Sequence, residues 1–235
     1  MSAPSSSFHG FGDKALPFFR ALGFHQDRAW FQENKALYES EVLQPLSALV
    51  SSLNEACIAR GLPLRGSPKA SIFRIHRDVR FAKDKTPFKT HASALLSRSG
   101  SKDGQGVFYI HVGPEESFFG AGFHDLDTAG LAAFRGSILA DPARLKALLA
   151  ALSGQGLAFD PRWSLKRAPR EAAGVTDEAV LAALKLKSFV ARRPIAESRL
   201  TQPDLLADCL SFIEDSLPLL EFGWSALSTI EPARG

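Results

Sequence analysis

The chain has 235 residues, 28 Lys and Arg against 25 Asp and Glu, a formal net charge of +3, and 45% hydrophobic residues. Those values are ordinary for a globular protein and set aside the disordered, collagen-like and coiled-coil classes. A chain of this length can bury roughly 70% of its unfolded surface without metal or disulfide staples, and no apolar run approaches the roughly 20 residues of a membrane helix.

Residues 1–7 are small and polar, lack the basic and apolar regions of a secretory signal, and are expected to be a disordered lead-in. Residues 8–230 are expected to form a single α+β domain. Asp13 is placed to cap a short helix through Leu22, closed by Gly23. Asp27 then caps a longer one, because Trp30, Phe31, Tyr38, Val42, Leu46, Leu49, Leu53 and Cys57 recur at three- and four-residue steps. Pro45 inside that run either kinks one helix or opens a second, and Gly61 and Pro63 end it. Cys57 and Cys209 both fall in helical patterns, which suits buried thiols in a reducing compartment. The expected location is the cytoplasm, with no membrane partner.

The middle of the chain changes period. Residues 72–76 read as a strand, and 89–97 as another. Residues 107–112 and 117–123 flank Gly113-Pro114-Glu115-Glu116, a hairpin turn, and the polar, Gly-rich 98–106 is a surface loop. Helices return after Asp127 or Thr128, after Asp141-Pro142, at Thr176-Asp177-Glu178 and after Thr201-Gln202-Pro203-Asp204, while 188–191 look extended. The fold class is therefore α+β: a single domain with a central antiparallel sheet of three to five strands flanked by N- and C-terminal helices.

Charge is unevenly placed. Residues 65–89 hold eight basic side chains against two acids, +6, whereas 197–235 hold seven acids against two bases, −5. The densest stretch carries Arg74, His76, Arg77, Asp78, Arg80, Lys83, Asp84, Lys85 and Lys89. If it stays extended, Arg74, His76, Asp78 and Arg80 share one face. Arginine forks favour bidentate recognition of carboxylate or phosphate. Arg74, Arg77 and Arg80 are thus the expected primary contacts to an anion, Asp78 the carboxylate that orients them, and Lys83, Lys85 and Lys89 auxiliary charge. Phe73, Ile75, Phe81 and Phe88 are expected to anchor the segment to the core. A basic run of this kind can also be a solvated ion-pair network with no ligand.

Arg74-x-x-Arg77-Asp78-x-Arg80-Phe81 followed by Asp84-Lys85-x-x-Phe88 resembles the hallmark of an uncharacterised family of bacterial proteins, also found as a region within longer fungal chains. Phe8-x-Gly-Phe11, Arg28-x-Trp30-Phe31-x-x-Asn34-Lys35 and Phe119-Gly120-Ala121-Gly122 fit the same pattern, so the resemblance runs over residues 8–195. It implies no activity or cofactor, and adds weight to the expectation that the Arg/Asp cluster is a site. The family pattern usually has Tyr at the last motif position, where this chain carries Phe88 and no phenol hydroxyl.

Other chemistry is weaker. His76, His91, His111 and His124 lie in or beside the expected sheet without H-x-x-x-H or H-E-x-x-H spacing, so no metal site is assigned, even with Asp125 and Asp127 nearby. The glycines of 119–124 lack a nucleotide-loop spacing and are expected to let a strand pass close to its neighbour. Arg162, Lys166, Arg167 and Arg170 form a second basic stretch around Trp163. The leading expectation is a domain that binds an anionic small molecule or nucleic acid through phosphate or carboxylate groups, with a nucleotide or nucleic acid the leading class. The alternative is an enzyme on a phosphate-containing substrate, with Asp78 or Asp84 and one of the four histidines as acid or base. A third reading is a structural Arg/Asp network in a protein-interaction module.

Overall fold

The computed structural model describes residues 7–81 and 83–229. The expected lead-in lies, apart from Ser7, outside the described residues. Ten α-helices are labelled here in chain order: α1 Ala15–Phe24, α2 Arg28–Glu33, α3 Lys35–Tyr38, α4 Gln44–Ala59, α5 Pro68–Ser71, α6 Thr128–Ala140, α7 Pro142–Gly154, α8 Glu178–Leu184, α9 Glu197–Leu200 and α10 Leu205–Leu227. The strands β1 Ala92–Ser97, β2 Val107–Val112, β3 Ser117–Phe123 and β4 Phe189–Pro194 form one antiparallel sheet in the order β1-β2-β3-β4. The architecture is α+β. No described helix is long and apolar enough to cross a membrane.

The chain packs as two compact units. One holds residues up to 104 with 108–119 and 194–212; the other holds 105–107, 120–193 and the residues from 213 on. In the first, α1 buries Phe18, Phe19 and Leu22, and α4 buries Leu46, Leu49, Val50, Leu53 and Cys57. Strand β2 alternates, with Phe108, Ile110 and Val112 inward and Val107, Tyr109 and His111 only half-buried, as a sheet with one covered face requires. In the second, Phe134 stacks on Phe189 at 4.4 Å between ring centroids, and Ile138, Leu145, Leu152 and Leu184 complete the core.

Helix starts follow local chemistry. Asp27, Asp127, Asp141 and Asp177 each accept from backbone N–H groups two or three residues ahead, which satisfies donors the helix cannot. Asp13 does not do this: α1 begins after Lys14 without a side-chain cap, runs on through Gly23, and ends at Phe24. The long helix expected from Asp27 is broken. Asn34 interrupts it, a π-helical turn spans Glu39–Leu43, and Pro45 opens α4. Pro45 has no N–H to give the carbonyl four residues back, that of Glu41. The N–H of Gly12 takes that carbonyl instead at 3.1 Å, and Lys14 N–H donates to the Glu41 carboxylate at 3.2 Å. A Cβ at Gly12 would meet the Glu41 carboxylate, so a side chain there would have to displace it.

The expected strand at 72–76 is not one. Ile72 bridges Ala94 of β1, whereas His76 bridges Phe88, so the run divides between two partners and forms no continuous ladder. The second expected strand starts at Ala92 rather than Lys89. The fourth strand of the sheet is instead β4, the segment that looked extended at 188–191.

Candidate functional site

Residues 75–77 and 87–89 pair as a short ladder: Arg77 N–H donates to Pro87 O at 2.9 Å and Lys89 N–H to Ile75 O at 2.8 Å. Phe88 anchors it, 2% exposed and stacked on Phe31 at 4.5 Å. Its own N–H donates to the Gln26 Oε1, and Gln26 Nε2 donates to Leu22 O, which ties the ladder to the end of α1. The basic loop 78–86 projects from this base. Phe81, expected to be an anchor, is 96% exposed instead.

Two ion pairs organise the loop. Arg77 Nη1 donates to Asp84 Oδ2 and to Thr86 Oγ1, while Asp84 also accepts from the Thr86 N–H and hydroxyl. Those hydrogen bonds, the Thr86 N–H foremost, hold the Asp84 carboxyl down to about 2. Arg80 turns back on Asp78, with Nε and Nη2 at 3.0 and 2.7 Å from its two oxygens, and this fork lowers the Asp78 pKa. Lys85 Nζ donates to the Val79 and Arg80 carbonyls at 2.9 and 3.4 Å. The extended face expected to carry Arg74, His76, Asp78 and Arg80 together therefore ends where the ladder ends, at Arg77.

A cavity of about 550 Å³ opens beside the ladder, lined by Arg77, Asp78, Asp84, Thr86, Lys89 and His91, with Gly23, Gln26, Phe88 and Thr90 completing the wall. Of the expected anion contacts, Arg77, Asp78 and Lys89 line it; Arg74, Arg80, Lys83 and Lys85 do not. Arg74 and Lys83 are exposed. Lys89 is half-buried, 5.4 Å above the Phe73 ring, and no Asp or Glu among the described residues lies within ion-pair distance of it. Burial first, then the charges of Arg74 and Lys102, push its pKa down.

The histidines do not converge. His91 reaches the cavity and stacks on His111 at 4.1 Å, and His111 stacks on Phe118 at 4.9 Å. Burial and the Lys89 charge lower the pKa of His91. Burial, helped by His91 and opposed by Glu116, pushes His111 down to about 4. His76 packs on Phe88 and Phe31, at 5.1 and 5.8 Å, and His124 meets Trp163 edge-on at 4.6 Å in the other compact unit. The Asp127 carboxylate caps α6 by accepting from the Gly130 N–H, and the Asp125 backbone N–H donates to Ser188 Oγ. Among the described residues, no group of three His, Cys, Asp or Glu side chains is placed to hold a metal ion. In the second basic stretch Arg162 is held by Asp160, at 2.6 Å.

Gln26, Thr86 and Thr90 are wall residues that no sequence pattern singles out. The site as built is a polar cavity in an α+β protein, with two cations on its wall and both nearby acids occupied. The match to a family of conserved hypothetical proteins (DUF2461) covers residues 14–222, and the chain belongs to that family. No curated protein and no solved structure matches it.

Proposed function

We propose that the cavity beside Lys89 receives a small molecule bearing a phosphate or carboxylate, with Lys89 and Arg77 as its charged contacts and the Thr90 hydroxyl as a neutral donor. The observation that carries this reading is the charge left over. The two loop acids are matched by Arg77 and Arg80, while among the described residues no carboxylate pairs with Arg74, Lys83, Lys85 or Lys89. A half-buried ammonium without a counter-ion is costly unless an anion joins it. The concave shape and volume suit a nucleotide-sized ligand better than a polymer lying on an open face. A purely structural network accounts for Arg77, Arg80 and Lys85 but leaves Lys89 without a role. The buried thiols of Cys57 and Cys209 fit a reducing compartment, and the cytoplasm is our reading of where the protein works.

Calorimetric titration with pyrophosphate and with citrate tests the proposal. Lys89→Met is expected to weaken binding about tenfold, equivalent to about 1.4 kcal/mol, and to leave the melting temperature nearly unchanged. Lys166→Met, on an exposed loop, should bind like the unaltered chain. Equal affinity in the Lys89→Met protein, or no binding of either anion, refutes it. One observation favours the enzyme reading as a second possibility: His91 lines the same cavity with a pKa pushed down, so it stands as a neutral base at neutral pH. Asp78 and Asp84 are poorer bases because their lone pairs are engaged.

A further inference from the structure

Lys89 differs from the other lysines of its segment. Lys83 is exposed and Lys85 is committed to two carbonyls, but Lys89 stands half-buried on the cavity wall against the Phe73 ring. Lys102 lies on that same ring, 5.2 Å from its centroid, and its Nζ is held at 2.6 Å by Ile72 O, so its positive charge is fixed near Lys89. Arg74 adds another, three residues from the ladder's far end. An amine so placed is desolvated and crowded by like charge, the two conditions that turn an inert ammonium into a nucleophile.

We infer that Lys89 is a reactive amine, condensing through Nζ with the carbonyl carbon of a ligand that also carries a carboxylate or phosphate. This rests on the anion-site reading, since Arg77 is the group that would hold the acidic end. The step balances without an oxidant or reductant. The ammonium gives a proton to His91 or solvent, and the freed lone pair forms a C–N bond as the carbonyl π pair moves to oxygen. The resulting carbinolamine takes a proton on its hydroxyl and leaves as iminium plus water. His91 suits the transfer because burial and Lys89 itself keep its ring neutral. An iminium at this place is an electron sink, so the ligand class is a keto acid or a phosphorylated aldehyde or ketone.

The experiment uses the full chain with glyoxylate as the probe and cyanoborohydride to trap any imine, with labelling rates read at each lysine by peptide mass spectrometry near neutral pH. Lys89 is expected to label about tenfold faster than Lys83, Lys85 and Lys166. Removing a neighbouring charge, by Arg74→Gln or Lys102→Met, should erase much of that advantage without touching Lys89. Lys89 labelling no faster than the exposed lysines overturns the inference. Inorganic phosphate separates the two readings. Fast labelling slowed by phosphate supports both; fast labelling indifferent to phosphate keeps the reactive amine and removes the anion site. Calorimetric phosphate binding without fast labelling does the reverse.

Discussion

Adding one methyl group at Gly122 should be among the most damaging small changes in this chain. Gly122 lies in β3 with φ +132°, a backbone conformation closed to most side chains, and a Cβ there would sit 2.0 Å from the Phe189 carbonyl oxygen of β4. Neither atom belongs to a flexible side chain, so the strands must separate or the backbone must rotate. Leaving the glycine-only conformation costs about 1–3 kcal/mol, and each ladder hydrogen bond lost as β3 and β4 part adds about 1 kcal/mol. Together Gly122→Ala should lose roughly 3–5 kcal/mol, a large part of the 5–15 kcal/mol typical of a domain. At about 2–4 °C per kcal/mol for a chain of this size, the melting temperature should fall by about 10 °C. The same substitution at Gly136, exposed within α6 and with nothing within 4 Å of its Cβ, should stabilise by about 0.5–1 kcal/mol through helix propensity alone. Urea titration of both variants gives the comparison. Gly122→Ala within 1 kcal/mol of the parent, or a destabilised Gly136→Ala, would show the reasoning from Cβ space to be wrong.

Two further outcomes follow from the environment of single side chains. Phe81→Ala should change stability by less than about 0.5 kcal/mol because that ring is 96% exposed, whereas Phe88→Ala should cost about 3–5 kcal/mol, and equal effects in denaturant titrations would contradict the placement of the loop. His111 is pushed down to about 4 in the folded chain, below its unfolded value, so the unfolded state binds the extra proton first. Its contribution is intact above about pH 6.5 and falls as pH drops toward 4. A His111→Phe protein should therefore lose less melting temperature than the parent between those pH values, and parallel curves would count against it.

What could be read from sequence was what is decided locally. The Asp27, Asp127, Asp141 and Asp177 caps depend on residues two or three positions away, β2 on period-two alternation, and the β2–β3 hairpin on the Gly-Pro turn between two apolar runs. Asp13 had the right residue type, but the start of α1 is set by Gly12 and the distant Glu41. The run 72–76 has the composition of a strand, yet its pairing is split between β1 and residues 87–89. Phe81 has a residue type that favours burial, but the ion pairs and the Lys85 contacts hold its loop outward. The charge run marks the segment that supplies Arg77, Asp78, Asp84 and Lys89 to the cavity wall. The cations that face the cavity, Arg77 and Lys89, are the two held in the 75–77/87–89 ladder, whereas Arg80 lies beyond it and closes on Asp78 two residues away. Gln26 comes from beyond the end of α1, and no local pattern points to it.

A proline within a helical run is normally counted as one hydrogen bond lost. At Pro45 the missing donor leaves a vacancy that another part of the chain fills, since the Glu41 carbonyl it cannot satisfy is where Gly12 docks. The contact is backbone to backbone, and the small size of Gly12 leaves room for the Glu41 carboxylate beside it. Gly12 stands two residues before the stretch shared with the family begins, and Phe11 beside it bonds to Leu200 O at 2.8 Å. The lead segment is thus latched onto its unit by main-chain groups. A shortened chain starting at the family boundary would keep every helix but lose the latch, and Pro45→Ala would supply a rival donor to the same socket.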